Sequence, residues 1–293
     1  MINRLSNVNR LTKDTILLIT GTTGYIGTNL IRELTKYDYP ILLTKNIDNK
    51  SYYFSNIENK KINIKLIKDK KIILVHMATF YSKNQMDSER IILSNEVFGQ
   101  NLLKDLTDLE LIKVIYINTM FNYYQDRTIR NLQYTKSKNK FSQFLKHKLS
   151  LQNIIFEEIF LDNIYGNYDI RKKVIPEIMN SIVNNQPNPI IDKKIFINLT
   201  HVNDVVKRIE LAINSNSLSS TAFINKKMVS LSSVYNFLNS YKRDENLDSN
   251  LLEFSENKYI KNSPKIELNK ISLEKLEYAL INELKYYENR KFF

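Results

Sequence analysis

Tyr134 and Lys138 stand four residues apart in the run Tyr134-Thr-Lys-Ser-Lys138, a spacing that places a phenol and an ammonium on one face of a helix. A phenol with an ordinary pKa of about 10 exchanges protons poorly near neutrality. A cation beside it favours the phenolate and lowers that value, so the pair reads as a proton donor with its own electrostatic partner. Thr119 belongs with them. It closes the apolar run Ile112-Lys-Val-Ile-Tyr-Ile-Asn118, and a hydroxyl at the end of a central strand can hydrogen-bond a substrate oxygen on which charge develops. A Tyr/Lys pair alone can simply cover surface, and a strand-end threonine can be structural. Their combination points to proton transfer.

Such residues work only where a reactant is held beside them. The segment Thr15-Ile-Leu-Leu-Ile-Thr-Gly21-Thr-Thr-Gly24-Tyr-Ile-Gly27, followed by a helical run from Thr28 to Lys36, reads as a buried strand, a glycine loop and a helix N-terminus. That order offers backbone N–H groups and the positive end of a helix dipole to a pyrophosphate. Gly21 permits the tight turn, Gly24 the approach of phosphate, and Gly27 close packing of helix on strand. Three of the chain's five glycines sit here. The loop from Gly21 through Thr23, Gly24, Tyr25 and Ile26 to Gly27 is therefore the expected dinucleotide site, with the nicotinamide end near Thr119. In NAD-using sites an acid about 24 positions past the first glycine holds the ribose 2′-hydroxyl. Counting from Gly21 reaches Lys45, and no acid lies nearer than Asp48. A cation there would attract a 2′-phosphate, which predicts NADPH over NAD.

Composition narrows the alternatives. The chain has no cysteine and three scattered histidines, His76, His147 and His201, which excludes disulfides and thiolate chemistry and argues against a metal site. A net charge of +12 raises nucleic acid as a partner, but the lysines are spread among Asn, Ile and acids, with no Arg stripe interleaved with aromatics. Nucleic-acid binding is not expected, and the positive field suits small anionic substrates. No uninterrupted apolar stretch approaches the roughly 18 residues of a membrane helix, and Met1–Arg10 lacks a signal-peptide core. The expectation is a soluble cytoplasmic protein with no membrane partner.

Alternating elements supply the scaffold. Strand-like runs at Thr15–Thr20, Tyr39–Thr44, Ile62–Ile67, Ile72–Met77, Ile112–Asn118 and Ile154–Phe160 are interleaved with helical patterns around Ser88–Leu106 and Leu132–Ser150. This predicts an α/β fold, a Rossmann-type doubly wound parallel sheet. Beyond about Gly166 the rhythm changes, with helices from Pro176 to about Asn185, Asp204 to Ile213 and Ser272 to Tyr287, and a polar loop at Lys242–Asn250. The reading is a dinucleotide-binding domain over residues 1–165, with a helix near 201–216 packing back on it, and a smaller mixed substrate-binding lobe over 166–293.

With these motifs in place the chain resembles the extended short-chain dehydrogenase/reductase family, in its sugar-nucleotide epimerase/dehydratase/reductase branch. Thr20 to Gly27 matches the family's Thr-Gly-x-x-Gly-x-x-Gly, and His76-Met-Ala78 its His-x-Ala element. Asn95, Thr119 and the Tyr134/Lys138 pair fall at family positions, as do Asn163-Ile-Tyr-Gly166, Val174-Ile-Pro176 and Val202-Asn-Asp204-Val205. The stretch from Ile117 to Phe121 with Tyr134–Lys138 looks most like CDP-abequose and CDP-paratose synthases, which reduce a 4-keto sugar.

The resemblance implies Tyr134 as acid/base, Lys138 as its electrostatic partner and ribose contact, and Thr119 as donor to the C4 oxygen. It adds Met77, Ala78 and Thr79 to the cofactor site, and Phe121, Asn163 and Val174 to the substrate site of a homodimer acting on a CDP-, dTDP- or GDP-linked sugar. Two departures matter. Dehydratases of the family carry Asp-Glu after the catalytic Thr, where this chain has Met120 and Phe121. Many members have a phosphate-gripping Arg before the late Val-x-Asp element, where Ile195–Thr200 has none, leaving that task to Arg171 or Lys172. A 4-ketoreductase is the expected activity, with an NAD-dependent 4-epimerase and a catalytically silent nucleotide-binding protein as alternatives.

Overall fold

The Ile- and Leu-rich run Thr15–Thr20 becomes β1, buried along its whole length, and the backbone of such a strand is satisfied only with a neighbour on each side. In the computed structural model, which describes residues 14–37, 40–46, 51–167, 169–187, 195–216, 219–244, 251–259, 264–269 and 273–290, both neighbours are parallel: β2 (Ile41–Asn46) and β5 (Lys71–His76). Between these two, β3 (Tyr52–Ser55) and β4 (Lys61–Ile62) run antiparallel on the far side of β2. The sheet grows the other way through β6 (Glu110–Thr119), β7 (Ile155–Leu161) and β11 (Ser219–Asn225), all parallel, and ends at β14 (Lys265–Asn269). Among the described residues its nine strands lie in the order β14-β11-β7-β6-β5-β1-β2-β3-β4. The chain leaves β1 toward β2 and returns to β5 on the opposite side, so the topological switch lies between β1 and β5.

The helices of this part bury one face each. α1 (Tyr25–Leu34) follows the glycine loop. α2 (Ser88–Ile92), a π turn at Leu93–Val97 and α3 (Phe98–Asp105) form one continuous helical stretch. α4 (Arg127–Arg130) is a single turn. α5 (Gln133–Ser150) buries Lys138, Phe141, Ser142, Leu145 and Leu149 at helical spacing. Its apolar face shares a core with Leu18, Leu74, Val114 and Tyr116 of the sheet.

One expected strand is corrected. Only Lys61–Ile62 of the run to Ile67 pairs; Ile64–Ile67 is a 3-10 turn. Asn63 accepts a hydrogen bond from Lys65 N–H at 3.0 Å, and this local bond competes with the ladder. Tyr39, Asp48 and the end of the polar loop, residues 245–250, lie outside the described residues.

Two compact units divide the chain, Met1–Leu161 with Val206–Ala222 and Ile260–Lys265, and Asp162–Val205 with Phe223–Tyr259 and Ile266–Phe293. The second holds α6 (Val174–Val183), α8 (Leu231–Arg243) and α9 (Leu273–Arg290), whose buried faces form one core. It also holds β8 (Asn163–Tyr165) paired in parallel with β10 (Leu199–His201), and an antiparallel trio of β9 (Phe196–Ile197), β12 (Lys227–Ser230) and β13 (Phe254–Glu256). α7 (Val202–Asn214) carries the chain onward to β11.

Candidate active site

Three chain segments emerge at the C-terminal ends of β1, β5 and β6. After β1 the glycine loop is shaped by what it omits. Gly21 has a φ of +71°, and a Cβ there would lie 2.7 Å from Ala78 N; a Cβ on Gly27 would lie 2.2 Å from the Gly21 carbonyl oxygen. α1 begins just past Gly24, its N-cap, with no side-chain cap and no acid in its first turn, while first-turn N–H groups have no intrahelical acceptor. The Thr22 hydroxyl is buried without a partner. A backbone cradle, an uncapped positive helix end and a spare hydroxyl fit the pyrophosphate of a dinucleotide. Thr23 and Gly24 are exposed on the rim, Tyr25 and Ile26 half-buried behind them. Lys45 is the penultimate residue of β2, half-buried and opposite Tyr53 of β3.

Thr20 binds the loop to the β5 end. Its Oγ1 accepts from Met77 N–H at 3.1 Å and Ala78 N–H at 3.0 Å, and lies 3.2 Å from His76 Nδ1. With two donors already on that oxygen, its own proton goes to Nδ1, which fixes His76 as the Nε2–H tautomer. Burial, reinforced by the Lys138 cation, pushes the imidazole pKa down to about 3, so this histidine is a neutral structural group.

Past β5, Thr79 and Phe80 are gripped by Asn95 of the π turn. Asn95 Oδ1 accepts from Thr79 Oγ1 at 3.0 Å and Phe80 N–H at 2.8 Å, while Nδ2 donates to Phe80 O at 3.2 Å and Ser137 Oγ at 3.0 Å. All four capacities of the amide are used. The π turn is the kind of helical irregularity that aims one side chain inward.

Thr119, at the end of β6, accepts from Phe121 N–H at 3.2 Å. The Thr119 and Thr79 hydroxyls beside the Tyr134 phenol act to lower its pKa, but burial outweighs them and pushes it up to about 12. This corrects the expectation that Lys138 holds the phenol low. Lys138 Nζ instead donates to the Ile117 carbonyl at 2.6 Å and lies 4.3 Å from the Tyr116 ring centroid. Burial pushes its pKa down to about 7, opposed by Glu158. Rings close around the phenol: Tyr81 packs edge-on to Tyr134 at 4.9 Å and Phe121 at 6.1 Å. A neutral phenol beside a second hydroxyl, with the Lys138 amine one helical turn away, can give a proton to an oxygen on which charge grows.

The match to a family model completes this picture: residues 17–224 match the NAD dependent epimerase/dehydratase family. The chain belongs to that family. A CDP-abequose synthase of Salmonella muenchen is 25% identical over 177 residues, 58% of this chain and 60% of that protein. The chain therefore aligns with less than two thirds of that relative's length. Among solved structures, a UDP-N-acetylglucosamine 4-epimerase from Methanobrevibacter ruminantium in complex with UDP-N-acetylmuramic acid has a TM-score of 0.71 at 16% identity, covering 95% of this chain and all 100% of its own. RMD from Pseudomonas aeruginosa complexed with NADPH has a TM-score of 0.66 at 14% identity, covering 94% and 99%. These two show a shared Rossmann-type fold.

Within this family member the remaining expected residues lie in the second unit. Asn163 opens β8 and donates to Asp162 Oδ1 at 2.7 Å. Arg171 is committed, with Nε and one Nη both 2.7 Å from the Asp169 carboxylate and a further bond to the Ile164 carbonyl at 2.8 Å. Lys172 is exposed, and Val174 begins α6, half-buried. Asn95, Ser137 and Tyr81 were not among the expected catalytic, cofactor or substrate contacts. For Asn95 the signal was its place in the family pattern. Among the described residues no cluster of three or more His, Asp or Glu could hold a metal, and no helix is long and apolar enough to cross a membrane.

Proposed function

We propose that this protein is an NADPH-dependent reductase of the C4 ketone of a nucleotide-linked 6-deoxy or 3,6-dideoxy sugar. The observation that carries the reading is the Thr119 hydroxyl set beside the Tyr134 phenol at the strand ends, with burial holding the phenol neutral. Reduction asks for an acid at the carbonyl oxygen as it gains charge, and a phenol pushed up to about 12 enters the reaction carrying its proton. Met120 and Phe121 follow Thr119, so the carboxylates of a dehydratase are missing from that position.

The loop from Gly21 to Gly27 would hold the cofactor pyrophosphate, Met77, Ala78 and Thr79 would flank it, Lys138 would contact a ribose and Lys45 the 2′-phosphate. A reduced nicotinamide bound there supplies hydride. Thr119 orients the ketone oxygen, Tyr134 delivers the proton, and Lys138 stabilises the phenolate left behind. Phe121, Asn163 and Val174 are assigned to the sugar and nucleotide. Lys172, exposed where Arg171 is neutralised by Asp169, takes the diphosphate.

The test supplies CDP-, dTDP- or GDP-linked 4-keto-6-deoxy sugars and follows NADPH absorbance. One NADPH consumed per sugar converted is expected, with no change in a 4-hydroxy nucleotide sugar given alone. A protein that purifies with NAD and interconverts C4 epimers without net cofactor use is an epimerase, the second reading, which the same two hydroxyls could serve. Firm nucleotide binding with no turnover on any ketosugar would point to the silent binding protein.

A further inference from the structure

β7 carries two consecutive glutamates, Glu157 and Glu158, both 0% exposed. Strand alternation sends them to opposite faces of the sheet. Glu157 faces α7, where Lys113 Nζ at 3.0 Å and Arg208 Nη2 at 2.8 Å neutralise it. Lys113 also donates to the Ala212 carbonyl and, at 2.7 Å, to the Ser215 carbonyl, so this cluster fastens the end of α7 to the sheet.

Glu158 faces α5 and the active site. Its Oε1 accepts from Asn118 Nδ2 at 2.7 Å and Ser142 Oγ at 2.5 Å, and its Oε2 from Lys146 Nζ at 2.8 Å and Ser220 Oγ at 3.2 Å. Asn118, held this way, accepts the Thr119 N–H on its Oδ1 at 2.8 Å. One residue therefore separates the buried carboxylate from the backbone of the hydroxyl that touches Tyr134. The register places Glu158 directly beside Tyr116, the ring over which the Lys138 ammonium sits.

We propose that Glu158 is a positioning residue of the active site, fixing Thr119 through Asn118 and holding Lys138 as an ammonium from the neighbouring strand. Lys138 acts on His76 from β5, neutral, and sits over Tyr116 from β6, whose phenol burial keeps protonated; Glu158 from β7 is the carboxylate that acts on it directly, while Glu96 of the π turn reaches only Tyr116, and Tyr134 stands one turn back on the same helix. Glu158 itself is faced by Lys146 of α5, by Tyr116 and by Tyr123. Lys146 lies at the surface, 47% exposed, where water screens it.

The proposal rests on the roles given above to Thr119 and Lys138, but its first test needs no substrate. In full-length protein with 13C-labelled lysine, the Lys138 side-chain resonance, recognised by its loss in Lys138→Met, is titrated by NMR. Glu158→Gln should lower its midpoint by on the order of one unit. Lys146→Gln, a surface change that leaves the Glu158 charge less compensated, should raise it, and Glu157→Gln should leave it in place. In the NADPH assay Glu158→Gln should lower kcat on the order of tenfold while the KM for NADPH stays within about twofold, because Thr119 is misaligned but the glycine loop is untouched. An unmoved midpoint in Glu158→Gln, or a lowered midpoint with unchanged kcat, overturns the proposal. If Glu158→Gln does not fold, an unmoved midpoint in Lys146→Gln overturns it. Absence of turnover by the wild type would defeat the reductase reading and leave the titration to decide this one.

Discussion

Around Gly21–Gly27 the structure keeps atoms out, with missing Cβ groups, an uncapped helix end and an unpartnered Thr22 hydroxyl. Around Thr119 and Tyr134 it ties atoms down, with Asn95 filling all four of its hydrogen bonds and Asn118 locked between Thr119 and Glu158. The difference follows from what each region handles. A pyrophosphate brings its own charge and needs room and donors, whereas a proton moves correctly only between groups whose positions are fixed beforehand. Substitutions should therefore fail differently in the two places, by steric exclusion in one and by lost alignment in the other.

The largest effect is expected from Tyr134→Phe. It removes the proton donor and should lower kcat by roughly 10²–10⁴-fold, with cofactor affinity by calorimetry almost unchanged; near-normal turnover would mean the acid lies elsewhere. Gly27→Ala tests the other region. A methyl 2.2 Å from the Gly21 carbonyl oxygen forces the loop apart and should weaken NADPH binding by about 1–3 kcal/mol. Unchanged affinity would show that the loop is not the pyrophosphate site.

Smaller effects sharpen the contrast. Lys138 has its pKa lowered from 10.5 to about 7, so between these values the unfolded chain binds the extra proton. This group's contribution makes the folded state more stable as pH rises through that window. Lys138→Met should flatten the slope in urea denaturation between pH 7 and 9, and a steeper slope would contradict the burial reading. Asn95→Ala should lower kcat by about tenfold and destabilise by roughly 1–3 kcal/mol, since it leaves the Phe80 N–H without its partner. Asn95→Asp should not rescue it, because a carboxylate cannot donate to Ser137. A full rescue would show that the acceptor half of the amide suffices. The smallest effect is expected from Lys45→Ala, a few-fold loss in kcat/KM for NADPH with NADH unaffected. Equal losses with both cofactors would remove Lys45 from the 2′-phosphate role.

The excluding region was the more legible in sequence. Glycine spacing between a strand and a helix states a steric need locally, and β1, the loop and α1 follow from Thr15 to Leu34 without reference to the rest of the chain. The tied region was legible only as residue types. Tyr134, Lys138 and Thr119 could be paired by period and strand end, but the upward push on the phenol depends on burial that spacing does not encode. Asn118 and Glu158 depend on the register of β6 against β7. A signal was present: two carboxylates inside Ile155–Leu161, a strand otherwise apolar, must find partners or unfold it. β3 was missed although Tyr52-Tyr-Phe-Ser is rich in strand-forming aromatics. The expected strand to Ile67 was lost to the turn at Asn63.

The bare start of α1 has a practical consequence. A helix end with no cap and no acid of its own gains its missing partner when an anion arrives, so ligand occupancy feeds directly into folding equilibrium. Saturation at 100 times the dissociation constant adds about 2.7 kcal/mol. The melting point is then a thermometer for the cofactor, and comparing NADPH, NADH and their oxidised forms in a thermal-shift plate ranks them before any sugar is in hand.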